Sequence, residues 1–227
     1  DRALPPEAAP GGGARSPDDG PGPAYLRLSA LPVLDPVPPA AAARGAGGGG
    51  GRLQRVLGSA LHRATQSLLQ RPVLPARCDA PLKMLLRQAL RELGCEPRQL
   101  AQQQERGEAM LQRLLADPWA RWMLDPARPQ RTAEFPLVLR DGAVLRSLVV
   151  DYSFIDERHG ERWVVDYKSA APQPGETPEA FLAAAVAEHT PQLRSYACAL
   201  AAIGPQPVRA ALYFLALGRH HEVPVEP

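Results

Sequence analysis

A strand-like stretch, WVVDYKSA at residues 163–170, places an acid and a lysine two positions apart among apolar residues. Because side chains alternate along a strand, Asp166 and Lys168 would share one face while Tyr167 points away. Another acid, Asp151, lies in the apolar segment that precedes this stretch. Two carboxylates and an ammonium on one face are typical of phosphodiester hydrolysis assisted by Mg²⁺, with Mn²⁺ as a substitute, since such cations prefer oxygen ligands.

The distance between the two acids depends on how their strands pair. The segment between them, DERHGE, contains Gly160, which can adopt a positive φ. A turn centred on Arg158-His159 would pair Asp151 with Asp166, with Cα atoms roughly 4.5–5.5 Å apart. Carboxylates this close repel unless one is protonated or a cation binds both, so the register predicts a metal site. An exposed salt-bridge ladder is the alternative interpretation.

Three further patterns contain candidate site residues. Gln192 and Tyr196 are spaced i, i+4 and would share a helix face. His62 follows Gly58 by four residues in a predicted helix, and Glu134 begins a predicted strand in the sequence EFP. Each has a structural alternative: Tyr196 as a core residue with Gln192 at its polar edge, His62 as a packing residue, and Glu134 as an exposed strand acid.

Hydrophobic periodicity predicts the elements that position these residues. Helices are predicted over 53–70, 81–93 and 97–116, the second ended by Gly94 as a C-cap and the third near Asp117-Pro118. The period then changes to that of strands, over 132–140, 144–155 and 162–169, with Asp141-Gly142 as a hairpin turn.

Two more helices are predicted from N-terminal signals. Thr177-Pro178 and Thr190-Pro191 each offer a capping threonine and a proline at the first helical position. The second helix would end at Gly204-Pro205, and the apolar strand over 208–217 suits a central position. The predicted fold is α/β, a mixed sheet flanked by helices with an N-terminal helical segment.

Composition limits the environment and the partners. The chain has 45% hydrophobic and 22% charged residues and a formal charge of +2, so any surface for nucleic acid must be local. Only two of its 26 basic residues are lysines, Lys83 and Lys168. Cys78, Cys95 and Cys198 are widely spaced without a CxxC pattern, which favours a reducing compartment and gives no support for zinc. The apolar runs are too short for a membrane span.

The first 50 residues have the composition of a linker. They hold 20 glycines plus prolines, against 25 in the other 177 residues. The exception is YLRLSALPVL at 25–34, which we expect to be an extended arm on a domain surface. The predicted organisation is a linker or tether over 1–50 and a domain over 51–227. Since the chain does not begin with Met, we expect a piece of a longer protein.

Five motifs in order resemble a known family. They are Gly58-Ser-Ala-Leu-His62, Glu134-Phe-Pro136, Asp151, Asp166-Tyr-Lys-Ser169 and Gln192-Leu-Arg-Ser-Tyr196. The set resembles the restriction-endonuclease-like PD-(D/E)XK nuclease domain of RecB and AddA, helicase–nucleases that process broken DNA ends. The likeness to the C-terminal end of AddA-like proteins of the UvrD family covers about residues 51–220. It includes RWVVDYK, QLRSYACAL and ALYF.

The resemblance implies a role for each matching residue. Asp151 and Asp166 would hold the metal with the carbonyl of Tyr167, His62 would be a further ligand, and Lys168 would be catalytic. In addition, the resemblance implies supporting or DNA-contacting roles for Gln192, Tyr196 and Glu134.

The resemblance also implies a cellular context. The expected partners are DNA, a helicase motor in the same parent chain and an AddB-like second subunit, in the bacterial cytoplasm near the nucleoid and away from membranes. The expected role is that of an exonuclease in recombinational repair. No G-x-x-x-x-G-K-[ST] phosphate loop occurs, so this chain is not itself the motor.

Two positions depart from the family pattern. Leu148 stands where a glycine is common, and Tyr152 stands where an arginine is common. We expect Leu148 to crowd an approaching DNA backbone and the missing arginine to remove a local charge. These departures leave open an alternative of another class, a nuclease-like module that binds DNA or a partner without cutting. A nuclease that acts alone, in defence or on RNA, is a weaker alternative.

Overall fold

A helical layer precedes the sheet in the computed structural model, which describes residues 49–141 and 144–225. The layer comprises α1 (Gly49–Leu69), α2 (Ala80–Glu92), α3 (Pro97–Ala116) and the short α4 (Pro118–Met123). The three long predicted helices are confirmed, with Gly94 at φ +82 just after the end of α2. The predicted linker over 1–50 and its arm at 25–34 lie almost wholly outside the described residues.

The short helix α4 was not predicted from the sequence. Asp117 ends α3, and its carboxylate then accepts hydrogen bonds from the backbone N–H groups of Trp119 and Ala120. The Asp117-Pro118 pair is therefore both a helix end and an N-cap followed by proline.

Within the described residues, five strands form one sheet in the order in which they occur along the chain. They are β1 (Thr132–Asp141), β2 (Val144–Asp156), β3 (Glu161–Lys168), β4 (Val208–Phe214) and β5 (Arg219–Val223). β3 and β4 are parallel and the other neighbours are antiparallel, which confirms the predicted mixed sheet. Of the turn predicted at Asp141-Gly142, Asp141 is the last residue of β1, and Gly142 lies outside the described residues.

The end of the sheet differs from the prediction. The strand predicted to reach residue 217 stops at Phe214, and a turn with Gly218 at φ +62 leads into β5. β5 was not predicted because its sequence, RHHEV, is polar and almost wholly exposed at the sheet edge. β4 is nevertheless an interior strand, as its apolar sequence predicted.

The two helices predicted after β3 are one helix, α5 (Pro178–Ala201), which connects β3 to β4. Thr177 is the N-cap, since its side chain accepts from the N–H of Ala180. The break predicted at Thr190-Pro191 is wrong. Pro191 removes one helical hydrogen bond, but the residue left without it, Ala187, is exposed, so water can satisfy its carbonyl.

Each face of the sheet has its own core. Val165 and Tyr167 of β3 pack against α1 to α4, together with Tyr152 of β2, so Tyr167 points away from the face of Asp166 as predicted. Val164 and Val150 pack on the other face, against α5. None of the helices within the described residues combines the length and apolar character needed to cross a bilayer.

Candidate active site

The hairpin of β2 and β3 has the predicted register. Five pairs run from Tyr152–Val165 to Asp156–Glu161, and Gly160 adopts φ +66 in the turn. One step further in this register, Asp151 would lie opposite Asp166. The ladder ends before that pair. The two acids therefore lie where the strands separate.

Asp151 departs from regular strand geometry. Its Oδ2 accepts a hydrogen bond from the backbone N–H of Tyr167 at 2.9 Å, so a side-chain oxygen replaces a strand carbonyl. Val150 and Tyr152 pack on opposite faces of the sheet, although residues two apart in a regular strand share a face. The chain thus twists at Asp151, and its carboxylate points along the sheet towards β3.

Glu134 is the counterpart of this irregularity in β1. It would face Asp151, but the β1–β2 ladder has no pair at this position. Its φ of +51 is unusual for a residue with a side chain. Such strain is concentrated at functional sites, and here it accompanies a carboxylate that reaches the same cavity as Asp151.

α1 brings a third group to the strand ends. Gln54, Gly58 and His62 are spaced by four residues and share a helix face. The amide of Gln54 donates to the carbonyl of Ser169 at 2.9 Å, and Nε2 of His62 lies 3.3 Å from the carbonyl of Tyr167. A Cβ on Gly58 would lie 3.0 Å from Oγ of Ser169. The glycine thus permits the close approach that places His62 at the site.

Three side chains meet at this point. Ligand atoms of His62, Glu134 and Asp151 all lie within 4.8 Å of one another. Nδ1 of His62 is 3.6 Å from Oδ1 of Asp151. The two carboxylates suit a hard divalent cation such as Mg²⁺ or Mn²⁺, and the imidazole suits the softer Mn²⁺ better than Mg²⁺. Glu134, assigned a supporting role from the sequence, therefore belongs to the group that can hold a metal.

Asp166 and Lys168 form a separate pair beside this group. Asp166 is 3% exposed, and Nζ of Lys168 lies 2.7 Å from its Oδ2. This contact is an ion pair. Asp166 does not belong to the three-residue group. Its carboxylate oxygens nevertheless have further lone pairs that can accept another partner.

The electrostatics of the site favour a bound cation. Burial raises the pKa of Asp151 to about 7, and the neighbouring charge of Asp166 contributes in the same direction. His62 and Lys168 act in the opposite sense without cancelling the rise. A cation between the carboxylates would favour the ionised form of Asp151 and remove this cost.

The cavity around these residues is large enough for a substrate. Its volume is about 860 Å³, and residues of α1, β1, β2 and the end of β3 line it. Glu134 and Asp151 line it together with Tyr167 and Lys168, and His62 lies on the wall formed by α1. A polyanion that enters would meet carboxylates, imidazole and ammonium in one open space.

Gln192 and Tyr196 share a face of α5, as their spacing predicted. The amide of Gln192 donates to the hydroxyl of Tyr196. Tyr196 as a residue is 3% exposed and lies in the core between α5 and the sheet. Neither residue is among those that line the cavity. Burial, and then the charge of Asp166, raise the pKa of Tyr196, so the hydroxyl of Tyr196 lies near the carboxylate of Asp166.

Two residues near the site were missed by the sequence analysis. Gln54 belongs to the α1 face that carries Gly58 and His62, and its i, i+4 spacing was available as a signal. His189 lies near Lys168 and Asp166, since burial and then Lys168 lower its pKa. It was missed because the helix break predicted at Thr190-Pro191 separated it from the helix that carries Gln192.

The two departures from the family pattern have structural explanations. Tyr152 is fully buried, and its hydroxyl donates to the carbonyl of Met123 at 2.8 Å. Leu148 packs against the α5-side core. Val149 lines the cavity, and Leu148 is not among the lining residues. Tyr152 is thus a core residue, and the expected crowding by Leu148 has no support in the cavity wall.

A second cluster with ligand-like spacing lies at the β2–β3 turn, formed by Asp156, His159 and Glu161. Arg128 binds the buried carboxylate of Asp156 at 2.7 Å, and Arg209 binds Glu161 at 3.1 Å. Because arginines already neutralise both acids, this cluster is explained as an ion-pair network.

A mixed sheet flanked by helices, with acids, a histidine and a lysine at its strand ends, has the architecture of metal-dependent nucleases with a restriction-endonuclease-like fold. The family model of the PD-(D/E)XK nuclease superfamily matches residues 41–225. The chain belongs to this superfamily, whose members are generally nucleases that use divalent metals.

Similarity to individual proteins is low. Among curated proteins, none matches the sequence. Among solved structures, the chain is similar to the crystal structure of protein VC1899 from Vibrio cholerae, with 12% identity and a TM-score of 0.30. The match covers 77% of this chain and 48% of that protein, so the chain spans about half the length of this relative.

Proposed function

We propose that this domain is a metal-dependent deoxyribonuclease that hydrolyses phosphodiester bonds in the cavity between α1 and the ends of β2 and β3. The observation that carries the proposal is the meeting of His62, Glu134 and Asp151 within 4.8 Å. Lys168 lines the same cavity beside them.

His62, Glu134 and Asp151 would hold the cation, Mg²⁺ or Mn²⁺. Asp166 and the carbonyl of Tyr167 are adjacent acceptors available to it. A bound divalent cation would supply positive charge at the phosphate and a nucleophilic hydroxide at neutral pH. The chain's own contribution is to hold the acids in place: the N–H of Tyr167 fixes Asp151, and α1 fixes His62.

Lys168 would act on the phosphate. Its side chain is 20% exposed, and its ammonium is paired with Asp166. From this position it can stabilise negative charge that grows on the phosphate oxygens, or orient a water for attack. Asp166 would hold the ammonium towards the cavity, in addition to any contact with the metal.

The proposed parent protein is an AddA-like helicase–nuclease that processes DNA ends as an exonuclease in recombinational repair, with an AddB-like second subunit. The five ordered motifs and the RWVVDYK, QLRSYACAL and ALYF segments support this assignment. Such a protein would work in the bacterial cytoplasm at the nucleoid. A helicase encoded upstream in the same reading frame of the parent gene is the expected result, and its absence would refute the assignment.

The activity is tested by incubating linear single-stranded and double-stranded DNA with the domain and Mg²⁺ or Mn²⁺. Asp166→Ala and Lys168→Ala are the test variants, and Glu105→Gln, an exposed substitution on α3, is the control. We expect the wild type and the control to cut and the test variants to lose at least 99% of the rate. Equal degradation by all four proteins would refute the proposal.

A module that binds DNA or a partner without cutting is the second candidate. The observation that favours it is the pairing of Asp166 with Lys168, apart from the three-residue group. Calorimetry separates the candidates, because a nuclease must bind Mn²⁺ and lose it in Asp151→Ala. DNA binding without Mn²⁺ binding or cleavage would favour the second candidate.

A further inference from the structure

One face of α1 lines the cavity beyond the three-residue group. Three residues on the cavity wall are spaced four apart along this face: Arg55, Ser59 and Arg63. His62 lies beside Arg63 at one end of this row, so the row starts at the candidate metal site and leads away from it. We call these three residues the α1 row.

The α1 row has the charge that a polyanion requires. Among the described residues, no carboxylate lies within ion-pair distance of Arg55. Arg63 donates from one guanidinium nitrogen to Glu92 at 2.9 Å, and its side chain is 49% exposed. An arginine has five donors, so this hydrogen bond leaves most of them available. Glu134 and Asp151, which line the same cavity, supply the opposite charge at the candidate metal site.

The length of the row matches a stretch of nucleic-acid backbone. Eight residues of α-helix rise about 12 Å at about 1.5 Å per residue. This distance corresponds to roughly three nucleotides of one strand of a duplex, whose rise along the helix axis is about 3.4 Å per nucleotide. Guanidinium and hydroxyl groups bind phosphate oxygens whatever the base, so such contacts position a strand without reading its sequence.

Building on the proposed nuclease function, we propose that the α1 row binds the phosphates of the strand being cut, over about three nucleotides on one side of the scissile bond. This would make α1 a two-part element. The Gly58 and His62 face forms the site, and the adjacent Arg55 and Arg63 face holds the substrate.

The chain offers a matched control. Arg52 belongs to the same helix and carries the same charge, but it is not among the cavity-lining residues. Its guanidinium instead lies close to Gly94, where a Cβ would be 3.3 Å away. Arg52→Gln therefore removes one positive charge from α1 without altering the α1 row.

The experiment measures binding of a fluorescent single-stranded oligonucleotide in EDTA, where no cleavage occurs, over a series of salt concentrations. Removing one arginine that binds a phosphate should reduce the slope of log K against log salt by about 0.7. We expect Arg55→Gln to reduce it by about this amount and Arg55→Gln with Arg63→Gln by about twice as much. Arg52→Gln should leave it unchanged.

The outcome separates this inference from the proposed nuclease activity. If the Arg55 variants keep the wild-type slope while the wild type cuts DNA, the inference is overturned and the activity stands. If the Arg55 variants have reduced slopes while the wild type does not cut DNA, the α1 row is supported and the activity is refuted. A slope lowered equally by Arg52→Gln, or a wild type that binds no oligonucleotide, would overturn the inference. The Arg55 side chain has no ion-pair partner among the described residues, so its single variant remains informative if the double variant is unstable.

Discussion

The carboxylate of Asp151 accepts a hydrogen bond from the backbone N–H of Tyr167 at the point where β2 and β3 separate. This bond fixes one oxygen of the acid in the plane of the sheet. The other oxygen, Oδ1, lies 3.6 Å from His62. The local irregularity in the hairpin thus places Oδ1 of Asp151 where the proposed metal would bind, and the behaviour of Asp151 is the most direct test of the site.

The metal-free domain should lose stability as the pH rises. Burial raises the pKa of Asp151 from 3.8 to about 7. The folded state therefore favours the protonated carboxyl of Asp151. This contribution to stability is complete below pH 3.8 and is lost as the pH rises through 7. Asp151→Asn keeps an acceptor for Tyr167 without the charge. At pH 8 in EDTA it should raise the free energy of unfolding by about 1–3 kcal/mol. Urea unfolding should show no gain at pH 4, and an equal gain at both pH values would contradict the assignment.

Removal of one ligand should weaken metal binding without unfolding the domain. Glu134→Gln keeps the shape of the side chain but removes a charge next to the cation, so the affinity for Mn²⁺ should fall at least tenfold. Calorimetry against Glu105→Gln measures this loss. His62→Gln should in addition reduce the preference for Mn²⁺ over Mg²⁺, because imidazole nitrogen favours the softer ion. An unchanged Mn²⁺ affinity in Glu134→Gln would remove this residue from the site.

Lys168→Met should destabilise the metal-free domain and slow the reaction. It leaves the buried carboxylate of Asp166 without its ion-pair partner, at a cost of about 1–3 kcal/mol given the partial exposure of the lysine. Mn²⁺ should restore part of this stability if Asp166 can also contact the metal. Urea titrations of Lys168→Met with and without Mn²⁺ test this. An equal loss of unfolding free energy in the two conditions would show that Asp166 pairs with the lysine but does not contact the metal.

Gly58→Leu should damage the site more than the fold. A side chain at Gly58 meets Ser169, so α1 must move away from the end of β3 and carry His62 with it. We expect the Mn²⁺ affinity to fall about tenfold or more. Gly58→Ala should be milder, because the helix gains about 1 kcal/mol from the alanine and the hydroxyl of Ser169 can rotate. A wild-type Mn²⁺ affinity in Gly58→Leu would show that the close approach of α1 to Ser169 is not needed.

Much of the architecture follows from local sequence signals. Alternation along β3 predicted that Asp166 and Lys168 share one face while Tyr167 points away. The turn centred on Arg158-His159 predicted the register that brings Asp151 near Asp166. The apolar period predicted α1, α2 and α3. These predictions succeed because each depends on residues a few positions apart, where backbone geometry fixes the neighbours.

The tertiary structure alone decided which groups meet. Glu134 joins His62 and Asp151 because β1 adopts a positive φ there, which a residue pattern does not reveal. α5 remains one helix through Pro191, since Ala187, the residue that loses a hydrogen bond, is exposed and water can satisfy its carbonyl. Packing and solvent access, rather than local preference, settle such positions. The sequence by itself therefore determined the strands and the candidate residues, and the long-range approach of α1 and β1 to β2 decided how they combine.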